Sequence, residues 1–406
     1  MKPPRRRSVL RSRLLVLAAA GLLAWALFRR SGSSSSSGGD DGMAGVGGGS
    51  GRPCPLTFHR PSLEELRQGA TPYLLGGRQQ PACTNCRRSG EWAEICQFKA
   101  GPLCSEGVQA AIKWGWLQRG HELALRLTPC DLWAHLRGRT LWLLGDSMML
   151  DFYKAAQCFL YEFWPSLQQR NTSTDAALQD EASRLLRSTC VDLLEGTRIC
   201  YVRGDRGDDI VQRLLPLLPR LGAGPSDLLA LNFGLHHGKP DDYAATLAAF
   251  TAYVGQHHDQ LPRVLWQQTS QQHFKTAEGS GEYPGGGPPF ECGPIVNLSV
   301  VRDGAIELEP GTADTFGLLA GGWRNQAADS AMAAAGIPII HSFNETLWMA
   351  DMHRWNKDGL ECTHFCHPSA PQTWVLALFR ALQQLQPLAA QGPADGRLLS
   401  AREAPF

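Results

Sequence analysis

The chain has 406 residues, 43% of them hydrophobic and 19% charged, with a formal net charge of +1. That length buries a substantial core, and no basic or acidic run beyond the N-terminus offers a nucleic-acid footprint. Twelve cysteines, an even number, suit an oxidising compartment.

Residues 1–30 read as a targeting segment. Lys2, Arg5, Arg6, Arg7, Arg11 and Arg13 precede an apolar run, Leu14 to Phe28, closed by Arg29 and Arg30. As a helix the run rises about 22 Å, short of a ~30 Å hydrocarbon core; snorkelling arginines and a thin secretory-pathway membrane close the gap. The basic flank predicts a cytosolic N-terminus and a lumenal remainder, a single-pass type II arrangement. The rival expectation is a cleaved signal peptide and a secreted protein, since Ala24-Trp25-Ala26 resembles a cleavage site. Residues 31–52 are a Ser/Gly-rich stem that cannot build a core, and residues 391–406 form a loose tail. Asn171, Asn297 and Asn344 each open a glycosylation sequon, as a lumenal domain would allow.

Residues 53–130 are cysteine-rich: Cys54, Cys83, Cys86, Cys96, Cys104 and Cys130. Cys83-x-x-Cys86 alone could be half of a zinc site, but no second pair follows at finger spacing, so structural disulfides are the favoured reading. Residues 131–390 have a different texture, in which short apolar runs alternate with amphipathic stretches. Thr140–Leu144, Arg198–Val202, Asp227–Leu231, Arg263–Trp266 and Ile337–His341 read as buried strands. Helices are predicted over Asp209–Leu218, over Asp242–His257 with Asp241 as cap, over Asn325–Ala335 ending at Gly336, and from Ser369, where Ser369-x-x-Gln372 resembles a capping box. Such alternation implies an α/β fold with a mainly parallel sheet covered on both faces. Functional groups then gather at the carboxyl ends of the strands.

Three strand ends carry candidate chemistry. Gly145-Asp146-Ser147 follows the first strand directly; a serine there faces the N–H groups of a following helix, which can stabilise an oxyanion. The plain alternative is a helix-capping serine. Asn232, in Asn232-Phe233-Gly234, lands on the same edge, where its amide either donates to the same oxyanion or satisfies loop backbone. His273, in Thr269-Ser270-Gln271-Gln272-His273-Phe274, is a substrate contact, a base, or an ordinary loop histidine.

Near the C-terminus runs Leu360-Glu361-Cys362-Thr363-His364-Phe365-Cys366-His367. A serine nucleophile needs a base in reach and an acid that orients the base. Glu361 and His364 lie three residues apart, so one helical turn or tight loop brings carboxylate to imidazole. Disulfides from Cys362 and Cys366 would lock that segment. A Cys-His-Cys metal site competes but needs reduced thiols and a fourth ligand at known spacing, so no metal is expected.

This ordered set, together with Trp114-Gly115-Trp116 and Pro129-Cys130-Asp131-Leu132 upstream, resembles the PC-esterase group of the SGNH/GDSL superfamily. That group includes the trichome-birefringence-like polysaccharide O-acetyltransferases. The resemblance spans roughly Cys96 to Leu385. It implies a three-layer α/β/α domain and a triad of Ser147 as nucleophile, His364 as base and Glu361 as acid, where the family usually has Asp. It implies oxyanion donors from Asn232, the Ser147 N–H and a glycine after the second strand, here Gly204. His273 and Asp146 become candidate substrate-binding residues. It also implies a Cys292–Cys362 bridge and a tie from Cys366 to the N-terminal cysteines. Met148-Met149-Leu150-Asp151 stands where plant members carry Ser-Arg-Asn, and Gln267-Gln268 where an arginine is usual, so the plant acceptor does not transfer. The expected function is O-acetyl transfer to a polysaccharide or glycan, with no bound cofactor and an acetyl donor such as acetyl-CoA as co-substrate. That transferase reading would set the anchored chain in the Golgi membrane. An esterase with the same triad and a non-catalytic glycan-binding protein are the alternatives.

Overall fold

The computed structural model describes residues 52–77, 96, 104, 106–164, 188–295, 298–300, 306–356 and 359–385. The targeting segment, nearly all of the stem, the tail, Cys83, Cys86, Asn171 and Asn297 lie outside the described residues.

Each of the five apolar runs forms a strand. The central sheet holds β1 (Thr140–Gly145), β2 (Ser188–Asp192), β3 (Arg198–Arg203), β4 (Leu228–Asn232), β5 (Arg263–Gln267) and β8 (Ile339–Ile340), in the order β2-β3-β1-β4-β5-β8. All neighbours run parallel except β2, which pairs antiparallel with β3 at one edge. That edge strand was not anticipated: Ser188-Thr189-Cys190-Val191-Asp192 is too polar to read as a buried run. Two small antiparallel hairpins stand apart from the sheet. One pairs β6 (Leu298–Val300) with β7 (Ile306–Leu308), the other β9 (His353–Asn356) with β10 (Gly359–Phe365).

The helices used below are α1 (Glu106–Arg119), α2 (Pro129–Leu136), α3 (Ser147–Phe159), α4 (Pro240–Gln256), α5 (Gly322–Ala334) and α6 (Ala370–Gln384). Side-chain alternation along each strand divides them between two layers. Leu141 and Leu143 of β1 and Leu228 and Ala230 of β4 share a core with Phe152 of α3 and Trp374 of α6. Trp142, Leu144, Leu229 and Leu231 face the other way, against Leu247 and Phe250 of α4 and Met332 of α5. Trp116 of α1 and Trp133 of α2 belong to the first core, with Phe152 of α3 and Trp374 of α6. Five disulfides join the described residues: Cys54–Cys130, Cys96–Cys158, Cys104–Cys366, Cys190–Cys200 and Cys292–Cys362. Such a set suits a domain outside the cytosol.

Three helix expectations need adjustment. Residues 207–221 are a broken run, with a π-helical turn at Ile210–Leu214 and a 3₁₀ turn at Leu218–Leu221, because Pro216 and Pro219 interrupt the α-helical ladder. Helix α4 begins at Pro240 with Lys239 as cap, so Asp241 sits inside the first turn, where proline at N1 is favoured and a carboxylate meets the helix dipole. Helix α5 starts three residues early, at Gly322. Ser369 does cap α6 with the anticipated box to Gln372.

Registers place the strand ends at one level. Gly145 lies beside Arg203 on one side and Asn232 on the other. A side chain on Gly145 would collide with the Asn232 carbonyl oxygen and the Met149 side chain. Gly145→Ala is therefore expected to destabilise the chain by about 1–3 kcal/mol, read as a lowered thermal midpoint; an unchanged midpoint would refute the close approach.

Candidate active site

Helix α3 starts on the residue after Asp146, which caps it by accepting the Met148 N–H at 2.8 Å. Ser147 is thus the first helical residue rather than the cap, half-buried at the positive end of the helix dipole. The turn is braced from β3: the Tyr201 hydroxyl lies 3.2 Å from the Gly145 carbonyl and 3.0 Å from that of Asp146, sharing its proton between them.

The base and acid come from the β9–β10 hairpin. The segment predicted as a helical turn or tight loop is strand β10, whose register slips between Leu360 and Phe365. That irregularity lets residues three apart meet, which regular alternation would prevent. His364 Nε2 lies 2.5 Å from Ser147 Oγ. His364 Nδ1–H donates to Glu361 Oε2. The other carboxylate oxygen accepts the Thr363 N–H at 3.1 Å and the His364 N–H at 3.3 Å. The segment is pinned from three sides: Cys362 to Cys292, Cys366 to Cys104, and the His273 N–H to the Cys362 carbonyl at 3.0 Å.

Burial by itself would raise the Glu361 pKa. The His364 hydrogen bond, the charges of His364 and Arg354 and the Thr363 N–H reverse that and bring it to about 2. Beside it, Arg354 Nη1 donates to Asp151 Oδ2 at 3.0 Å, and Arg354 Nε lies 3.7 Å from Glu361 Oε2. Burial also works against the Asp151 charge, but His367, His364 and Arg354 outweigh it and hold that carboxyl well below the usual range.

Four expected site residues have other occupations. Asn232 Nδ2 donates to the Gln267 carbonyl at 2.7 Å and to Thr269 Oγ1 at 3.0 Å, while its Oδ1 accepts the Gly234 N–H at 3.0 Å. The amide stitches β4 to the segment after β5. The Gly204 N–H continues the sheet ladder to the Gly145 carbonyl at 2.8 Å, and its missing side chain admits Ile210 and Leu214. His273 is 0% exposed. Its Nε2–H donates to the Leu347 carbonyl at 3.0 Å and its ring meets His353 at 2.8 Å, so it braces the hairpin from behind. Asp146 is fully buried as a cap, with burial raising its pKa against the charge of His236. Asn344 is exposed, as a glycan site requires.

The residues that sequence reasoning missed are Arg354, Tyr201, His353 and His236. His353 Nδ1 lies 2.8 Å from the His364 carbonyl oxygen. His236 Nε2 stands 3.7 Å from Asp146 Oδ2. None of these four carries a local signal; Asp151, four residues after Ser147, does, since it lies on the same face of α3.

No protein-family model matches the chain, and no curated protein matches it. Among solved structures, one similar chain is LAE5, an alpha/beta hydrolase enzyme from the metagenome of Lake Arreo, Spain. The two are 10% identical with a TM-score of 0.30, over 61% of this chain and 96% of that one. At that level the likeness carries no inference about chemistry here.

Two outcomes are expected. Asn232→Ala strands buried partners at a cost of about 1–3 kcal/mol each, so the thermal midpoint falls while the reactivity of Ser147 in the surviving folded fraction changes little. A large loss of reactivity without loss of stability would restore Asn232 to the oxyanion role. Because the Glu361 pKa is depressed on folding, its stabilisation is complete above its ordinary value of 4.5 and is lost as pH falls toward about 2. Glu361→Gln should flatten the acid-unfolding curve in that window, measured by circular dichroism against pH.

Proposed function

We propose that this chain is a serine-dependent O-acyltransferase of the secretory pathway that moves an acetyl group onto hydroxyls of a polysaccharide or glycan. The observation that carries the proposal is the continuous array Ser147 Oγ, His364 and Glu361, with its 2.5 Å contact at the reacting end. The sequence resemblance to the PC-esterase group supplies the acyl-transfer chemistry, and the basic-flanked apolar N-terminus supplies the setting of a tethered lumenal enzyme.

The steps follow from the hydrogen-bond order. Ser147 Oγ attacks the acetyl carbonyl carbon of the donor as its proton passes to His364 Nε2. Glu361 holds the imidazole by Nδ1 and balances the imidazolium charge. The developing oxyanion faces the N-terminus of α3, where the Ser147 N–H is one of the donors a helix leaves unpaired. The imidazolium returns its proton to the departing group as that bond breaks, leaving an acetyl-serine. A sugar hydroxyl then gives its proton to His364 Nε2 and attacks the acetyl carbon. Collapse of this second intermediate frees Ser147, which takes back the proton.

The test incubates the purified full chain, and its Ser147→Ala variant, with an acetyl donor and glycan oligomers. The expected result is a mass gain of one acetyl group per modified hydroxyl with the parent. The variant should lose on the order of 10⁴-fold or more of the rate. Donor breakdown without glycan gain would make the enzyme an esterase. Equal behaviour of parent and variant would make it a non-catalytic glycan binder and end the proposal.

A further inference from the structure

Behind the site lies a buried ion pair that the chemistry above does not use. Arg354 leaves β9 with its side chain 8% exposed, and Asp151 leaves α3 with its side chain 0% exposed. The guanidinium reaches both Asp151 oxygens, at 3.0 and 3.4 Å. Its Nε meanwhile stands 3.7 Å from Glu361 Oε2, the oxygen that accepts from His364. One cation therefore lies between two carboxylates. One belongs to the helix that carries Ser147, a single turn further on; the other belongs to the hairpin that carries His364.

Resting on the reading of Ser147, His364 and Glu361 as a working triad, we propose that Arg354, anchored by Asp151, is the positioning residue of the site. It registers the acid on the hairpin against the helix that bears the nucleophile. A planar guanidinium suits this task because it offers donors in fixed directions to two acceptors at once. A lysine ammonium would keep the charge and lose the fork. The length of Glu361 accords with the arrangement: its carboxylate reaches past the imidazole toward a cation as well as receiving the Nδ1 proton.

The simpler account makes Arg354 and Asp151 a cross-link between helix and hairpin with no bearing on chemistry. The two accounts separate when the pair is replaced by apolar residues of similar size. Such swaps of buried ion pairs often keep or raise stability, so Arg354→Met combined with Asp151→Leu should restore a fold that Arg354→Met alone weakens. A third variant, Arg354→Lys, keeps only the charge. The charged and titratable groups that face Glu361 are His364 on its own strand, Arg354 and His353 on β9, and Asp151 on α3; His367 lies beyond Asp151.

The experiment uses the full chain and two readouts that need no acceptor. One is the rate at which a serine-reactive organophosphorus probe labels Ser147, followed by mass and against pH. The other is the low-field proton resonance of His364 Nδ1, assigned by its loss in Glu361→Gln. With the apolar pair, the thermal midpoint is expected to recover while labelling stays down by about 100-fold, the cost of roughly 1 Å of misplacement. The resonance should broaden or vanish. Arg354→Lys is expected to fall between parent and double variant. A double variant that labels within twofold of the parent and keeps the resonance overturns the inference. A parent that shows the resonance but never labels at Ser147 overturns the triad reading while leaving the positioning role intact.

Discussion

The contact between His364 Nε2 and Ser147 Oγ spans 217 positions of sequence, and the candidate site exists only because the fold brings those two atoms together. Nothing local holds them there. Ser147 is set by the end of a central strand and the first turn of a helix. His364 sits on a two-stranded hairpin outside the sheet. Most of the covalent and polar reinforcement near the site serves to dock that hairpin: the bridges from Cys362 and Cys366, the His273 N–H on the Cys362 carbonyl, and the His353 ring on the His364 carbonyl. Proton transfer tolerates little misplacement, which accounts for so much structure being spent on a segment of seven residues.

The electrostatics follow from the same docking. Bringing hairpin and helix together buries Glu361 and Asp151, and a buried carboxylate stays charged only where opposite charge or N–H donors face it. Glu361 meets both conditions, through His364 and Arg354 on one side and two backbone N–H groups on the other. Asp146 does not. It caps the helix with one oxygen, while the other has His236 only at 3.7 Å, and its pKa is raised where those of Glu361 and Asp151 are lowered. Three carboxyls near one serine thus differ in role because they differ in surroundings.

What could be read in advance was set by local physics. The five parallel strands showed as short apolar runs because a strand covered on both faces has no polar side to display. Ser147, Glu361 and His364 were legible because the residue types and their order matched an acyl-transfer pattern. The β2 edge strand and the β9–β10 hairpin escaped notice, since both are short and mixed in polarity. Asn232, Gly204 and His273 lie at the expected edge or element, and their polar groups bond to neighbouring backbone. Whether an amide or imidazole faces a substrate or a neighbouring backbone group depends on rotamers and packing that no spacing encodes.

By itself the amino-acid sequence determined the layered α/β class, the strand-to-serine turn, and the acid–histidine pair set around Cys362. Each of these rests on neighbours in the chain or on a pattern with a fixed period. Only the tertiary structure decided which face each strand residue covers, that Cys104 is the N-terminal partner of Cys366, and that Arg354 stands between Asp151 and Glu361. Those outcomes depend on distances between segments far apart in the chain, fixed jointly by the packing of the whole core.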